Sequence, residues 1–211
     1  MRKQSALGFS VLEILIVLSI ICVLSTAAMV GLQTVRNATY VNDAYSMVLR
    51  EVQTAHQLAI DQRCIAQLTF DPNGTVPNAQ GTGTMLIQLI KAGVSRNYET
   101  PQLLPPGIQF TTFAGMPVTG SLPAGVPPDG FGHGMFAVDF GTDFGGNKTD
   151  IYFQPNGTAM DAATGGQINN GVVYFGRPAQ LATARAVSLM GATGRVKGWR
   201  LLTVGGASKW K

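Results

Sequence analysis

One carboxylate stands where carboxylates are expensive. Phe9 to Leu32 reads FSVLEILIVLSIICVLSTAAMVGL, and Glu13 is its single charge. A carboxylate inside a membrane helix costs about 2.5–3.5 kcal/mol on insertion scales, so it marks function. Its natural counter-charge is a free amino terminus. A cut after Gly8 would make Phe9 that terminus and place Glu13 one helical turn further on. The ammonium of a neighbouring subunit could then pair with Glu13 and set two chains in register.

The other candidate groups offer less. His56 lies on an amphipathic segment and reads as a packing residue. His133 lies in Gly130–Gly134, with no nucleophile and carboxylate spaced to serve it. The repeated Asp-Phe-Gly at Asp139 and Asp143 lacks the other elements of a kinase site. Asp139, Asp143 and Asp150 carry carboxylates suited to Ca²⁺, but not at EF-hand spacing, and they read as surface acids. The chain is therefore expected to hold no catalytic group, cofactor or metal.

Basic residues gather at the other end. No acidic residue follows Asp161, whereas Arg177, Arg185, Arg195, Lys197, Arg200, Lys209 and Lys211 do. With a formal net charge of +4 overall, the remainder is net acidic. Arg195 and Lys197 alternate along a predicted strand and so share a face. Arg200, Lys209 and Lys211 lie near Trp199 and Trp210. Cations that contact phosphates and rings that stack on bases make these five a candidate DNA-binding set. The plain alternative is a solvated strand face and a disordered tail.

These groups need elements to position them. The 24 residues from Phe9 to Leu32 span about 36 Å as a helix, enough for a hydrocarbon core of about 30 Å. Arg2 and Lys3 precede the run and hold its start on the cytoplasmic side. A secretory signal would have a shorter apolar region and a small-x-small site, which Ser25–Ala28 imitates. Neither that reading nor a plain single-pass anchor explains Glu13. Beyond Gln33, apolar residues continue at helical spacing: Val41, Ala44, Tyr45, Val48, Val52, Ala55, Leu58 and Ala59. No Pro or Gly interrupts Leu32 to Gln62, so one helix is predicted from Phe9 to about Gln62. Cys22 and Cys64, on one helix, would be roughly 60 Å apart, far beyond disulfide reach.

After Cys64 the pattern changes to short alternating runs bounded by Gly, Pro and Asn. Strands are predicted over Ile65–Phe70, Thr84–Ile90, Ile108–Thr112, Phe136–Phe140, Ile151–Gln154, Gly171–Phe175, Ala184–Met190 and Arg195–Leu202. Asn73-Gly74 and Asn156-Gly157 are tight-turn signals, and Gly191–Gly194 is a predicted hairpin loop. Residues 101–134 hold seven of the eleven prolines and read as a long surface excursion. With 12 % charged and 45 % hydrophobic residues, the chain is too apolar for disorder and too irregular for a coiled coil. The expected class is α+β: a long N-terminal helix on a mostly antiparallel sheet domain. The expected segments are a leader at 1–8, a transmembrane half-helix at 9–32, an amphipathic half at 33–62 and a β-rich domain at 63–211.

Gly8-Phe9-Ser10-Val11-Leu12-Glu13, with its basic leader and apolar run, resembles the class III prepilin signal of type IV pilins and type II secretion pseudopilins. The resemblance implies that a prepilin peptidase cuts after Gly8 and methylates Phe9, and that Glu13 supports assembly. No Pro occurs around Met29-Val30-Gly31, where major pilins often bend. Further in, Ala66–Phe70, Phe153–Ala159 and Thr193-Gly194-Arg195-Val196-Lys197 are similar to the GspH/FimT group of minor pseudopilins and minor pilins. The implied fold is pilin-like. The implied place is the bacterial inner membrane, with a periplasmic domain and incorporation into a pilus or pseudopilus. The implied partners are other pilin subunits, the peptidase and, in the DNA-binding alternative, DNA.

Overall fold

A computed structural model describes residues 10–73, 83–112, 116, 136–140, 148–204 and 207–211, without the side chains of 30–34, 204 and 207. One helix, α1, runs Val11–Asp61. Ser10 opens it: its hydroxyl accepts the Leu12 amide at 3.3 Å, and its carbonyl accepts the amides of Glu13 and Ile14. At the other end Gln62 still donates to Leu58, and Arg63 then turns into the left-handed region at φ 50°. The helix stops one residue short of the expected Gln62.

The chain forms two compact units, Met1–Thr39 and Tyr40–Lys211. In the first, α1 is long and apolar enough over Val11–Met29 to cross a membrane. Its side chains are exposed, with Leu15 at 64 % and Leu24 at 63 %. Contiguous apolar exposure of this extent is the mark of a membrane- or protein-contacting surface. The polar side chains in this segment spend their donors locally. Ser19 donates to the Ile16 carbonyl, Ser25 to Ile21 and Thr26 to Val23.

The second unit is α+β. Its strands are β1 Ile65–Asp71, β2 Thr84–Lys91, β3 Val94–Asn97, β4 Gln102–Leu103, β5 Gln109–Phe110 and β6 Val138–Asp139. They continue as β7 Asp150–Phe153, β8 Ala159–Met160, β9 Gly171–Gly176, β10 Arg185–Met190, β11 Arg195–Val204 and β12 Ala207–Trp210. One sheet has the order β3-β2-β1-β7-β8, with β4 beside β3 against β2. The other has the order β12-β11-β10-β9-β5, with β6 also against β9. Every pairing among the described strands is antiparallel.

The C-terminal half of α1 closes a core shared by both sheets. Val41, Ala44, Val48, Val52, Ala55 and Ala59 are buried, as the stripe predicted, and Tyr45 and Leu58 pack at its margin. Leu68, Phe70 and Ile87 come from the first sheet, and Val173, Phe175, Val187 and Leu189 from the second. Phe70 stacks on Phe140 at 5.6 Å and meets the Phe110 ring edge-on at 5.5 Å. Strand β9 of the second sheet is buried on both faces. The sheet's outer face carries Val172, Tyr174, Ala186, Leu201 and Trp210, with Met116 packed among them. That is why β9 reads as an unbroken apolar run, Gly171–Gly176.

Two expected strands are shorter than predicted. Ile108–Thr112 and Phe136–Phe140 each pair over two residues, because both use the same edge of β9: β5 at Phe175–Gly176 and β6 at Val172–Val173. The Asn156-Gly157 turn joins β7 to β8, and Gly157 takes the positive φ of 85°. The Gly74 turn residue lies outside the described residues. Cys22 and Cys64 are both free thiols.

One polar contact ties the sheet to the helix. Glu51 of α1 is buried and bonded to Arg50 at 3.1 Å. Glu99, between β3 and β4, interacts with the Glu51 carboxyl. Burial and the Glu51 carboxyl push Glu99 up to about 7, with Arg50 pulling it down. An acid raised in the folded state stabilises fully below its unfolded value and loses that contribution as pH rises through the folded one. The melting temperature should therefore fall between pH 5 and pH 8, and Glu99→Gln should flatten that slope. An equally steep slope in the variant would assign it to other groups.

Candidate functional site

In the first unit the site is a helix face. Glu13 lies in the first turn of α1, with Ile14, Val17, Leu18 and Ile21 around it along one side. It is the only acidic or basic residue between Val11 and Met29. The face therefore presents one anionic group on an otherwise apolar stripe. Gly8 and Phe9, the expected cut and methylation positions, lie outside the described residues.

In the second unit the strand register sorts the five predicted basic residues. Arg195, Lys197 and Trp199 alternate on β11 with Leu201, which is buried in the outer cluster, so they share the outer face. The Lys197 ammonium lies 5.2 Å from the Trp199 ring centre, and the indole N–H donates to the Ser188 hydroxyl at 2.9 Å. Arg200 points the other way, its guanidinium 5.6 Å over the Tyr45 ring of α1. Lys209 pairs with Leu202, and Lys211 exchanges two backbone hydrogen bonds with Arg200. Both therefore follow Arg200. The single cluster expected from the sequence is two groups on opposite faces.

Arg185, one of the seven basic residues but outside the five-residue candidate set, belongs with the second group. It sits directly opposite Arg200 across β10 and β11. Burial and Arg200 together lower its pKa, with Tyr45 acting in the opposite sense. Its guanidinium donates to the carbonyls of Ala182 and Ala184. Only the register could have revealed this pairing, since the two arginines are fifteen positions apart.

The remaining candidates take structural places. His56 bonds the Gly157 carbonyl through Nε2 at 3.1 Å and meets the Phe153 ring edge-on at 5.5 Å. It fastens α1 to the β7–β8 turn. Asp139 and Asp150 depart from the expected surface acids: Asp139 is 2 % exposed, and Asp150 accepts hydrogen bonds from Thr69 and Gln67. Asp143 and His133 lie outside the described residues. Among the described residues no group of three His, Cys, Asp or Glu is placed to hold a metal ion. No protein-family model, curated protein or solved structure matches the chain.

The tail differs from the disordered alternative. Ala207–Trp210 pairs with Leu201–Val204, and Trp210 is 6 % exposed against Tyr174, with ring centres 5.7 Å apart. Removing such a ring from a core costs about 3–5 kcal/mol. Trp210→Ala should destabilise the folded unit by about 3 kcal/mol in denaturant titration. A change under about 0.5 kcal/mol, the range of ordinary surface substitutions, would return the tail to the surface.

Proposed function

We propose that the chain is a minor pilin or pseudopilin, a low-copy subunit that helps initiate or cap a filament. The observation that carries the reading is Glu13: one carboxylate in the first turn of an apolar, membrane-length helix that continues without a break into a packed α+β domain. In this reading a prepilin peptidase cuts after Gly8, and Phe9 becomes the methylated amino terminus. Glu13 then receives the terminal ammonium of the next subunit. In hydrocarbon the two charges attract strongly, and either one alone is costly. Pairing thus fixes axial register between neighbours, and the apolar stripe beside Glu13 supplies the contact. The domain faces the periplasm, and the mechanism is assembly rather than catalysis.

Gly8→Asp should block leader removal and leave full-length precursor on a gel; a normal mature band would refute the cut. Glu13→Ala should leave removal intact and reduce incorporation into filaments. Unchanged incorporation would remove the register role.

A second reading, nucleic-acid binding, is favoured by Arg195, Lys197 and Trp199 on one exposed strand face. Two cations contacting phosphates give a dependence of log affinity on log salt with a slope of about −1.8 on duplex DNA. Gel retardation by the full chain in detergent should show that slope and vanish in Arg195→Glu/Lys197→Glu. No retardation at micromolar protein would end this reading.

A further inference from the structure

The β2–β3 hairpin carries an open edge and a pocket that belong together. Ala92 and Gly93 connect the strands, with φ of 52° and 79°. Two successive positive φ angles make the two-residue hairpin turn whose twist matches the strands. The turn fixes the register: Lys91 opposite Val94, Leu89 opposite Arg96, and the Tyr98 amide donating to Ile87. The residues between, Ser95 and Asn97, direct their backbone groups away from β2. β3 is the end strand of its sheet, and among the described residues no backbone group pairs with that side of it.

The side chains on one face of this hairpin border a cavity of about 570 Å³. Its lining is Leu89, Lys91, Val94, Arg96, Tyr98 and Asn97, closed at the end of α1 by Gln62 and Cys64. The face is the one that buries Ile87 further along β2. Here the helix has ended and nothing described covers it: Val94 is 55 % exposed and Tyr98 50 %. The lining holds two cations and no carboxylate.

We infer that this edge is a docking site for an extended segment of a partner protein, added as a strand beside β3 with a carboxylate facing Arg96. The geometry specifies the segment. Its backbone bonds to Ser95 and Asn97, and every second side chain falls over the cavity. The residue opposite Arg96 is acidic, and those opposite Val94 and Tyr98 are apolar. The pattern is apolar-x-acidic-x-apolar. Cross-strand pairs of opposite charge stabilise a sheet, and like charges oppose it. The Arg96 charge disfavours a second copy of this edge, which would bring Arg96 against its equivalent. This inference does not rest on the assembly role of Glu13.

The probe is a fluorescent heptapeptide, Thr-Val-Thr-Glu-Thr-Val-Thr, titrated into the full chain in nonionic detergent and followed by anisotropy. A control peptide carries lysine in place of the glutamate. Saturable binding should appear, at least about fivefold tighter for the acidic peptide than for the control, a gap that cross-strand charge pairs can supply. Arg96→Glu should reverse the preference. Ser95→Pro should abolish binding without lowering the melting temperature, since that amide has no described partner to lose. Hydrogen exchange should slow at Ser95 and Asn97 with peptide bound. No saturable binding at millimolar peptide, equal binding of the two peptides, or protection confined to another part of the chain would overturn the inference.

Discussion

The packing of one helical stripe onto two sheets sets the terms for the whole second unit. Ala44, Ala55 and Ala59 of the helix are buried in one core with Leu68, Phe153 and Val187 of the sheets. Both sheets supply residues to one core, and α1 stands in it. His56 and the Glu51–Glu99 contact add polar fastenings at separate heights along the same helix. Beyond the end of the helix at Asp61 no described residue covers the sheet, and the cavity beside Cys64 follows directly. The closed core and the open pocket thus have the same cause, the length of α1.

Much of this was legible in the residues. The stripe from Val41 to Ala59 has a helical period that admits no other element, and long β-runs such as Thr84–Ile90 contain enough apolar side chains to declare themselves. What stayed hidden was of two kinds. Short strands with no apolar alternation, such as Val94–Asn97 and Ala207–Trp210, are made by pairing rather than by propensity. The sharing of one β9 edge by β5 and β6 is likewise a property of the sheet, not of either segment.

Charge shows the same limit more sharply. Seven basic residues in the last fifty positions suggest one basic surface. A strand reverses its side chains at every residue, so proximity in sequence separates Lys197 from Arg200 while pairing brings Arg185 to Arg200. The stacking of Arg200 on Tyr45 further draws that charge toward the helix. Glu13 escapes this ambiguity because its meaning comes from the apolar run around it, which is local.

The shared edge of β9 also says where the chain can change length. The segment between β5 and β6 leaves and returns along one strand, so its ends are held near each other by the ladder itself. Closing a flexible connection costs only about 0.6 kcal/mol more for each doubling of its length. A change of length between β5 and β6 therefore costs the ladder little. It would be felt where Thr111 and Ala137 bond Tyr174 of β9 and where Met116 packs in the outer cluster.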